Sequence, residues 1–345
     1  MTFLFMKSVR KYIVSQLAAE YEGDEAEALA WWILEEVTGK SRSELLVLTT
    51  GLLPADNDLL ADNDLSIDYK ERIDSIISRL LRHEPIQYIF GHTEWGGLDL
   101  KVTPDVLIPR PETAELIRKL EDLKIVSQSS PSADGQMFKS FKILDIGTGS
   151  GCLAIALKKR FPQAEVIGID ISEAALEVAR ENAKRNNVEV RFYQADALEF
   201  GIRNLELGIN SSHGFDGLKT EFNFSKPSTS DSQLLSTFNF QLSTFDVIVS
   251  NPPYIMESEK CQMDVNVLDF EPHSALFVPD NDPLLFYRAI ARYASSHLEP
   301  DGLMILEINQ QLGAETKELF RSIMPDAKVE LLKDDYNNDR FVIVS

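Results

Sequence analysis

The chain has 345 residues, 44% hydrophobic and 26% charged, with a formal net charge of −21. That length suits two domains, one small and one of ordinary α/β size, and no apolar run approaches the ~18 residues of a membrane span. The acidity opposes any phosphate backbone, because the basic residues are scattered, as at Lys158-Lys159-Arg160 and Lys184-Arg185, rather than gathered into a patch.

The first residues, Met1 to Lys7, carry too short an apolar stretch for a signal peptide and no small-residue cleavage site, so the expected compartment is the cytoplasm. Residues up to about 80 read as helical. Asp24 is an N-cap candidate with an acid three residues on, and Gly39 ends the segment. Trp31, Trp32 and Leu34 are expected in the core of a helical bundle, and Ile73, Ile76, Ile77 and Leu80 form one apolar stripe of a second helix. Between them, Ala55-Asp-Asn-Asp-Leu-Leu-Ala61-Asp-Asn-Asp-Leu duplicates an acidic unit. It lacks the glycine and closing glutamate of a calcium loop and reads as a solvated loop.

From about Phe141 strands and helices alternate. Strands are predicted at 142–146, 165–170, 190–195, 246–250, 303–308, 329–333 and 341–344, and helices at 151–160, 173–186, 283–297 and 313–323. Seven strands in this order imply a doubly wound sheet with helices on both faces. The stretch 201–244 breaks the pattern. It is polar and rich in Ser, Thr, Asn and Phe, with a near-repeat at Leu235-Ser-Thr-Phe and Leu242-Ser-Thr-Phe, and reads as a surface insertion. Cys152 and Cys261 lie far apart without a CxxC or a His at ligand spacing, which argues against a disulfide framework or a zinc site.

The chemistry gathers at strand ends. The first strand runs through Asp145 into Gly147-Thr148-Gly149-Ser150-Gly151, a GxGxG turn in which glycine lets backbone pass close to a ligand. Its spacing is not the GxGxxG of dinucleotide enzymes, and no lysine follows to hold a triphosphate. The second strand ends at Asp170, placed for both hydroxyls of a ribose. The third ends at Ala195-Asp196, placed for the exocyclic amine of an adenine. Together these describe S-adenosylmethionine better than NAD. The fourth strand ends in Asn251-Pro252-Pro253-Tyr254. There the Asn251 side-chain oxygen and the Pro252 carbonyl can each accept a hydrogen from a planar NH2 group. Pro253 pins the turn, and the Tyr254 ring covers the flat face.

This ordered set resembles the class I S-adenosylmethionine-dependent methyltransferases that act on planar nitrogens. Three further segments narrow the resemblance to the peptide chain release factor N5-glutamine methyltransferases: His83-Glu-Pro-Ile-Gln-Tyr-Ile-Phe-Gly-His92, Val106-Leu-Ile-Pro-Arg-Pro-Glu-Thr113 and Phe270-Glu-Pro-His-Ser-Ala-Leu-Phe277. The resemblance implies a helical substrate-recognition domain (1–84), a β-hairpin linker (85–108) and a seven-stranded Rossmann-like methyltransferase domain (109–345). The implied substrate is the glutamine of the Gly-Gly-Gln loop of class I release factors, and the implied state is a monomer. By motif, Gly147 to Gly151 and Asp170 hold the cofactor and Asn251 to Tyr254 hold the glutamine amide. Glu112 and Thr113 lie beside the cofactor's methionine end, and Asp196 and Ala197 beside its adenine.

The chain departs from that family at three places. Ala197 stands where an aromatic usually follows the acid, leaving Leu198 as the candidate to pack on the adenine. Val278-Pro-Asp-Asn-Asp282 replaces a glycine-rich stretch, and Asn309 replaces the glycine of Glu-Ile-Gly. None is expected to touch the amide clamp. Two other functions fit parts of the pattern: adenine-N6 methyl transfer on DNA or RNA, since a flipped base could stack on Tyr254, and a binding module that keeps the cofactor without catalysis.

Overall fold

The computed structural model describes residues 2–50, 65–122, 141–199 and 243–345. The acidic duplication and the polar insertion fall outside these ranges, apart from Leu65 and residues 243–244. The chain divides into two compact units, one of Met1–Gly91 with Asp264–Phe270, the other of His92–Met263 with Glu271–Ser345. Among the described residues no helix is long and apolar enough to cross a membrane.

The first unit is helical: α1 (Thr2–Leu17), α2 (Gly23–Thr38), α3 (Arg42–Thr50), α4 (Leu65–Leu80), α5 (Ile86–Phe90) and, from the distant segment, α9 (Val265–Phe270). Its core is built where the apolar spacing puts it, with Ile13, Leu17, Ile33, Leu34, Ile73, Ile77 and Leu80 all buried. Trp31 is buried between two cations, Arg10 and Arg42, whose guanidinium carbons stand 5.0 and 5.1 Å from its ring centre. Trp32 is only partly buried and meets Phe90 edge-on. The start of α2 corrects the N-cap expectation. Glu22 holds the cap position, and Asp24 lies in the first turn, where an acid favours the helix dipole instead. Gly39 ends α2 at φ +65°, as its position suggests.

The second unit opens with an antiparallel hairpin, β1 (His92–Trp95) and β2 (Leu98–Lys101), in register His92↔Lys101. Helix α6 (Pro111–Asp122) follows, with proline at its first position. The sequence reading omits this helix. Then come β3 (Lys142–Ile146), α7 (Cys152–Arg160), β4 (Glu165–Asp170), α8 (Glu173–Arg185), β5 (Arg191–Gln194) and β6 (Phe245–Ser250). After a short parallel pair, β7 (Ile255–Met256) with β8 (Phe277–Val278), the chain ends in α10 (Leu285–His297), β9 (Leu298–Glu307), α11 (Gly313–Ile323), β10 (Val329–Lys333) and β11 (Asp339–Val344).

Among the described residues, seven strands form one sheet in the order β10-β11-β9-β6-β3-β4-β5, parallel except for β11, which runs antiparallel to both neighbours. Alternation along each strand explains why helices cover both faces. Leu144, Ile146, Ile167, Ile169, Ile248, Met304 and Leu306 turn to the side of Tyr287, Ile290 and Phe320. Their neighbours Ile143, Val166, Val247, Val249, Leu303 and Ile305 turn to the side of Leu116, Leu120, Leu153 and the hairpin's Trp95 and Leu100. Strand β9 starts five residues earlier than the spacing predicts, because Leu298 already pairs with Phe245 before a register shift. Strand order changes direction between β3 and β6, and the crevice beyond the carboxyl ends of two such strands is where open α/β sheets bind ligands.

Candidate active site

Strands β3 and β6 are paired with Ile146 opposite Ser250, so Gly147 and Asn251 both leave the sheet at the same level. The Ser250 hydroxyl donates to the Ile146 carbonyl at 2.6 Å and ties the two exits together. Both of the richest motifs in the sequence therefore open onto one edge.

In the glycine turn, Gly147, Gly149 and Gly151 have φ of +71°, +52° and +81°. At Gly147 and Gly149 the space a Cβ would fill is open, whereas at Gly151 it would meet Ala179 Cβ at 3.0 Å. The first two leave room for a ligand, and the third lets α7 and α8 pack. The Thr148 amide donates to the Ile169 carbonyl and its hydroxyl to Asp145 Oδ2, at 2.8 and 2.6 Å. The other Asp145 oxygen, Oδ1, is buried and has no close hydrogen-bond partner among the described residues, with the Ala154 amide a nearby donor to the carboxyl. Burial pushes this carboxyl up to about 7, against the Thr148 bond that lowers it. Gly168 is needed one strand over, since a Cβ there would lie 2.8 Å from Phe192 and from Thr148 Oγ1.

Asp170 accepts from the Gly149 amide through Oδ2 and from the Ser172 amide through Oδ1, each at 2.9 Å. Its pKa is raised, chiefly by burial, with those amides opposing. Asp196 lies past β5, the edge strand. There it accepts from the Leu198 amide at 2.8 Å, and Ala197 is partly buried against the sheet.

The second half of the site is a hydrogen-bonded chain. Asn251 Nδ2 donates to Thr113 Oγ1 at 3.0 Å, and Thr113 Oγ1 donates to Glu307 Oε2 at 2.8 Å. Tyr254 Oη donates to Glu307 Oε1 at 3.0 Å. Thr113 and Glu307 are both buried, and Pro252 is buried between half-buried Asn251 and Pro253. The carboxylate ends β9, adjacent to β6 in the sheet, while Thr113 sits in the first turn of α6 beside half-buried Glu112. That turn is fixed from both sides. The Trp95 indole donates to the Arg110 carbonyl at 2.7 Å, and the Arg110 guanidinium donates to buried Glu271 at 2.6 Å.

Thus the structure brings Gly147, Thr148, Gly149, Ser150, Gly151 and Asp170 together, and joins Thr113 to Asn251 and Tyr254. Asp196 follows the end of β5, next to the Asp170 end of β4, with β3 and β4 between it and β6. One expectation is corrected: a departure from the family pattern does touch the clamp. The Asn309 side chain donates to the Tyr254 carbonyl and to Glu259, both at 3.1 Å, so a residue with an amide there ties the end of the clamp to the segment after β7.

Sequence reading gave no role to Glu307 or Asn182. Glu307 carries a signal in hindsight, since it is an acid at the carboxyl end of an apolar strand, as Asp145 and Asp170 are. Asn182, fully buried in α8, accepts from the Lys101 amide at 2.6 Å. It donates to the Lys101 and Ser150 carbonyls, each at 2.9 Å, binding hairpin and glycine turn to one helix. Nothing local marks it.

The PrmC N-terminal domain family matches residues 8–91, and a methyltransferase domain family matches residues 138–218. The release factor glutamine methyltransferase of Flavobacterium psychrophilum is 37% identical over 344 residues, covering 99% of each chain. That of Bacteroides thetaiotaomicron is 35% identical over 339 residues, covering 98% of this chain and 99% of the relative. That of Streptococcus pneumoniae is 35% identical over 275 residues, 80% of each.

Proposed function

The chain belongs to the release factor glutamine methyltransferase family, and from that premise we propose that it methylates the side-chain amide nitrogen of the Gly-Gly-Gln glutamine of class I release factors. The observation that carries the reading is the placement of the Asn251–Tyr254 clamp beside the glycine turn, at one edge of the sheet. Near-full-length relatives bearing that name favour it over adenine-N6 transfer on nucleic acid.

The residues fit S-adenosylmethionine. The open glycine turn and the acceptor Asp170 suit a ribose and a flexible amino-acid tail. Gly147 to Gly151, Asp170, Asp196, Ala197, Glu112 and Thr113 would hold it. When bound it supplies a methyl group made electrophilic by a positively charged sulfur.

The chain's own part is orientation. A primary amide is a poor nucleophile because its lone pair is delocalised into the carbonyl. The Asn251 oxygen and the Pro252 carbonyl accept its two hydrogens, fix its plane and strengthen as positive charge develops on nitrogen. Burial raises the Tyr254 pKa, so the phenol remains a neutral donor to Glu307. Asn251 is itself neutral, so the methylated amide can lose its proton to solvent without leaving a charge paired in the site.

The helical residues 1–84 act as the substrate-recognition domain, 85–108 as the linker and 109–345 as the catalytic domain, and the protein works as a cytoplasmic monomer without direct nucleic-acid contact. The test is methyl transfer from radiolabelled S-adenosylmethionine to a purified class I release factor, with the Gly-Gly-Gln glutamine intact or replaced by alanine. Label on the intact factor alone supports the reading; label on nucleic acid instead, or on both factors equally, overturns it.

A further inference from the structure

We propose that Glu307 is a positioning residue that sets which end of the Asn251 amide faces the substrate. The inference rests on the amide-clamp reading above. A clamp for an NH2 group must present oxygen, yet the two ends of an asparagine amide are nearly the same size and shape, so sterics alone cannot choose between them. Hydrogen-bond polarity can.

The chain of bonds begins at Glu307, a group that only accepts when ionised. Its Oε2 takes the single hydroxyl proton of Thr113 at 2.8 Å. With that proton committed, Thr113 Oγ1 can only accept from its other neighbour. That neighbour, 3.0 Å away, must then be Asn251 Nδ2. The Asn251 oxygen is left turned to the other side, as the substrate requires. The second carboxylate oxygen holds Tyr254 Oη at 3.0 Å, so one buried group fixes two residues of the clamp. The carboxylate itself cannot turn freely. It is buried at the end of β9, and the Tyr287 hydroxyl donates to its backbone carbonyl at 3.3 Å.

Burial, and to a lesser degree the Glu112 carboxylate, raise the Glu307 pKa, while the two hydroxyls and the nearby Arg340 cation oppose that rise. Arg340 is held in turn by buried Asp334 at 3.2 Å. Replacing Glu307 by glutamine keeps shape and volume but adds an NH2 donor. If that NH2 turns to Thr113, the hydroxyl is free to donate to Asn251, and the amide reverses to present hydrogens to the substrate's hydrogens.

Two measurements test this. The first needs no substrate: in protein labelled with 15N-asparagine, the Asn251 side-chain NH2 signal is assigned by its disappearance in Asn251→Asp. Its shift and exchange protection are then compared in wild type, Glu307→Gln and Thr113→Val. The relay requires that both substitutions move the signal and weaken its protection, and an unmoved signal in Glu307→Gln overturns it. The second is steady-state methyl transfer. Losing one preorganised acceptor is typically worth about 10²–10³ in kcat. Glu307→Gln should lower kcat within that range with KM for cofactor nearly unchanged, Thr113→Val should lower kcat by a similar factor, and Thr113→Ser should recover turnover that Thr113→Val loses. The double variant should be no slower than the slower single one, because both break the same chain. Losses that multiply, or a wild-type kcat in Glu307→Gln, overturn the proposal. A wild type that shows the amide behaviour but transfers no methyl to a release factor sinks the substrate reading and leaves the relay standing.

Discussion

Asn182→Ala perturbs a single buried amide that ties three parts of the catalytic unit together. Its side chain is fully buried, and its three hydrogen bonds reach the Lys101 amide, the Lys101 carbonyl and the Ser150 carbonyl. Lys101 is half-buried, so water can reach its freed groups, and each of those two bonds is worth about 1 kcal/mol. Ser150 is buried, and its stranded carbonyl costs about 1–3 kcal/mol. The total of about 3–5 kcal/mol corresponds, at roughly 2–4 °C per kcal/mol for a domain of this size, to a melting point lower by about 10 °C. Because Ser150 belongs to the glycine turn, cofactor affinity should fall as well. Differential scanning fluorimetry and isothermal titration with S-adenosylmethionine read both effects. Asn182→Asp provides the sharper comparison: it can still accept from the Lys101 amide but sets a carboxylate against two carbonyl oxygens. It should be at least as damaging as alanine. A shift below about 2 °C for Asn182→Ala, or an aspartate variant milder than the alanine one, would refute this account of the junction.

Three other outcomes are expected. Asn251→Ala should lower kcat by about 10²–10³ while leaving the dissociation constant for S-adenosylmethionine nearly unchanged, and an equal loss of cofactor binding would contradict its assignment to the substrate amide. Arg110→Ala strands the Glu271 carboxylate, whose side chain is 1% exposed, and should cost about 3–5 kcal/mol in urea unfolding. Glu271→Gln keeps one acceptor oxygen for either Arg110 or the Ile108 amide and leaves no buried charge, so it should cost less. Asp145 is raised from 3.8 to about 7 in the folded protein, so the folded state holds its proton more tightly than the unfolded one. Its favourable contribution is complete below the unfolded value and is lost as pH rises to about 7. Cofactor-free Asp145→Asn should therefore be more stable than wild type at about pH 8, with the advantage shrinking toward about pH 4; a constant difference would show that this carboxyl does not titrate as its burial implies.

Much of the architecture is local information. A strand buried on both faces must be apolar at successive positions, and so 142–146 and 165–170 are bounded in the sequence as they are in the sheet; the edge strand 329–333 is bounded there too, though only partly buried. Helix 313–323 is equally legible, since its apolar positions repeat at helical spacing. Where pairing rather than pattern sets the limits, the reading slips. Strand β9 gains its first residues from Phe245 across the sheet, and α6 is stabilised by Leu116 and Leu120 against a core assembled from distant segments.

The candidate site divides in the same way. Gly147-Thr-Gly-Ser-Gly151 and Asn251-Pro-Pro-Tyr254 are contiguous motifs whose residue types state their chemistry: glycines for close approach, an amide and a carbonyl for a planar NH2 group. That both open at one edge follows from parallel pairing of β3 with β6. The direction in which the Asn251 amide points does not follow. It depends on Thr113 and Glu307, which stand 138 residues from Asn251 and 194 from Thr113 along the chain. No local spacing encodes a hydrogen bond between such positions. The sequence by itself determined most of the elements of the sheet, the order of the strands' functional ends and the chemistry available there. Only the tertiary structure decided which buried partner polarises the clamp and which amide in α8 holds the glycine turn, because burial and donor–acceptor pairing exist only once distant strands have met.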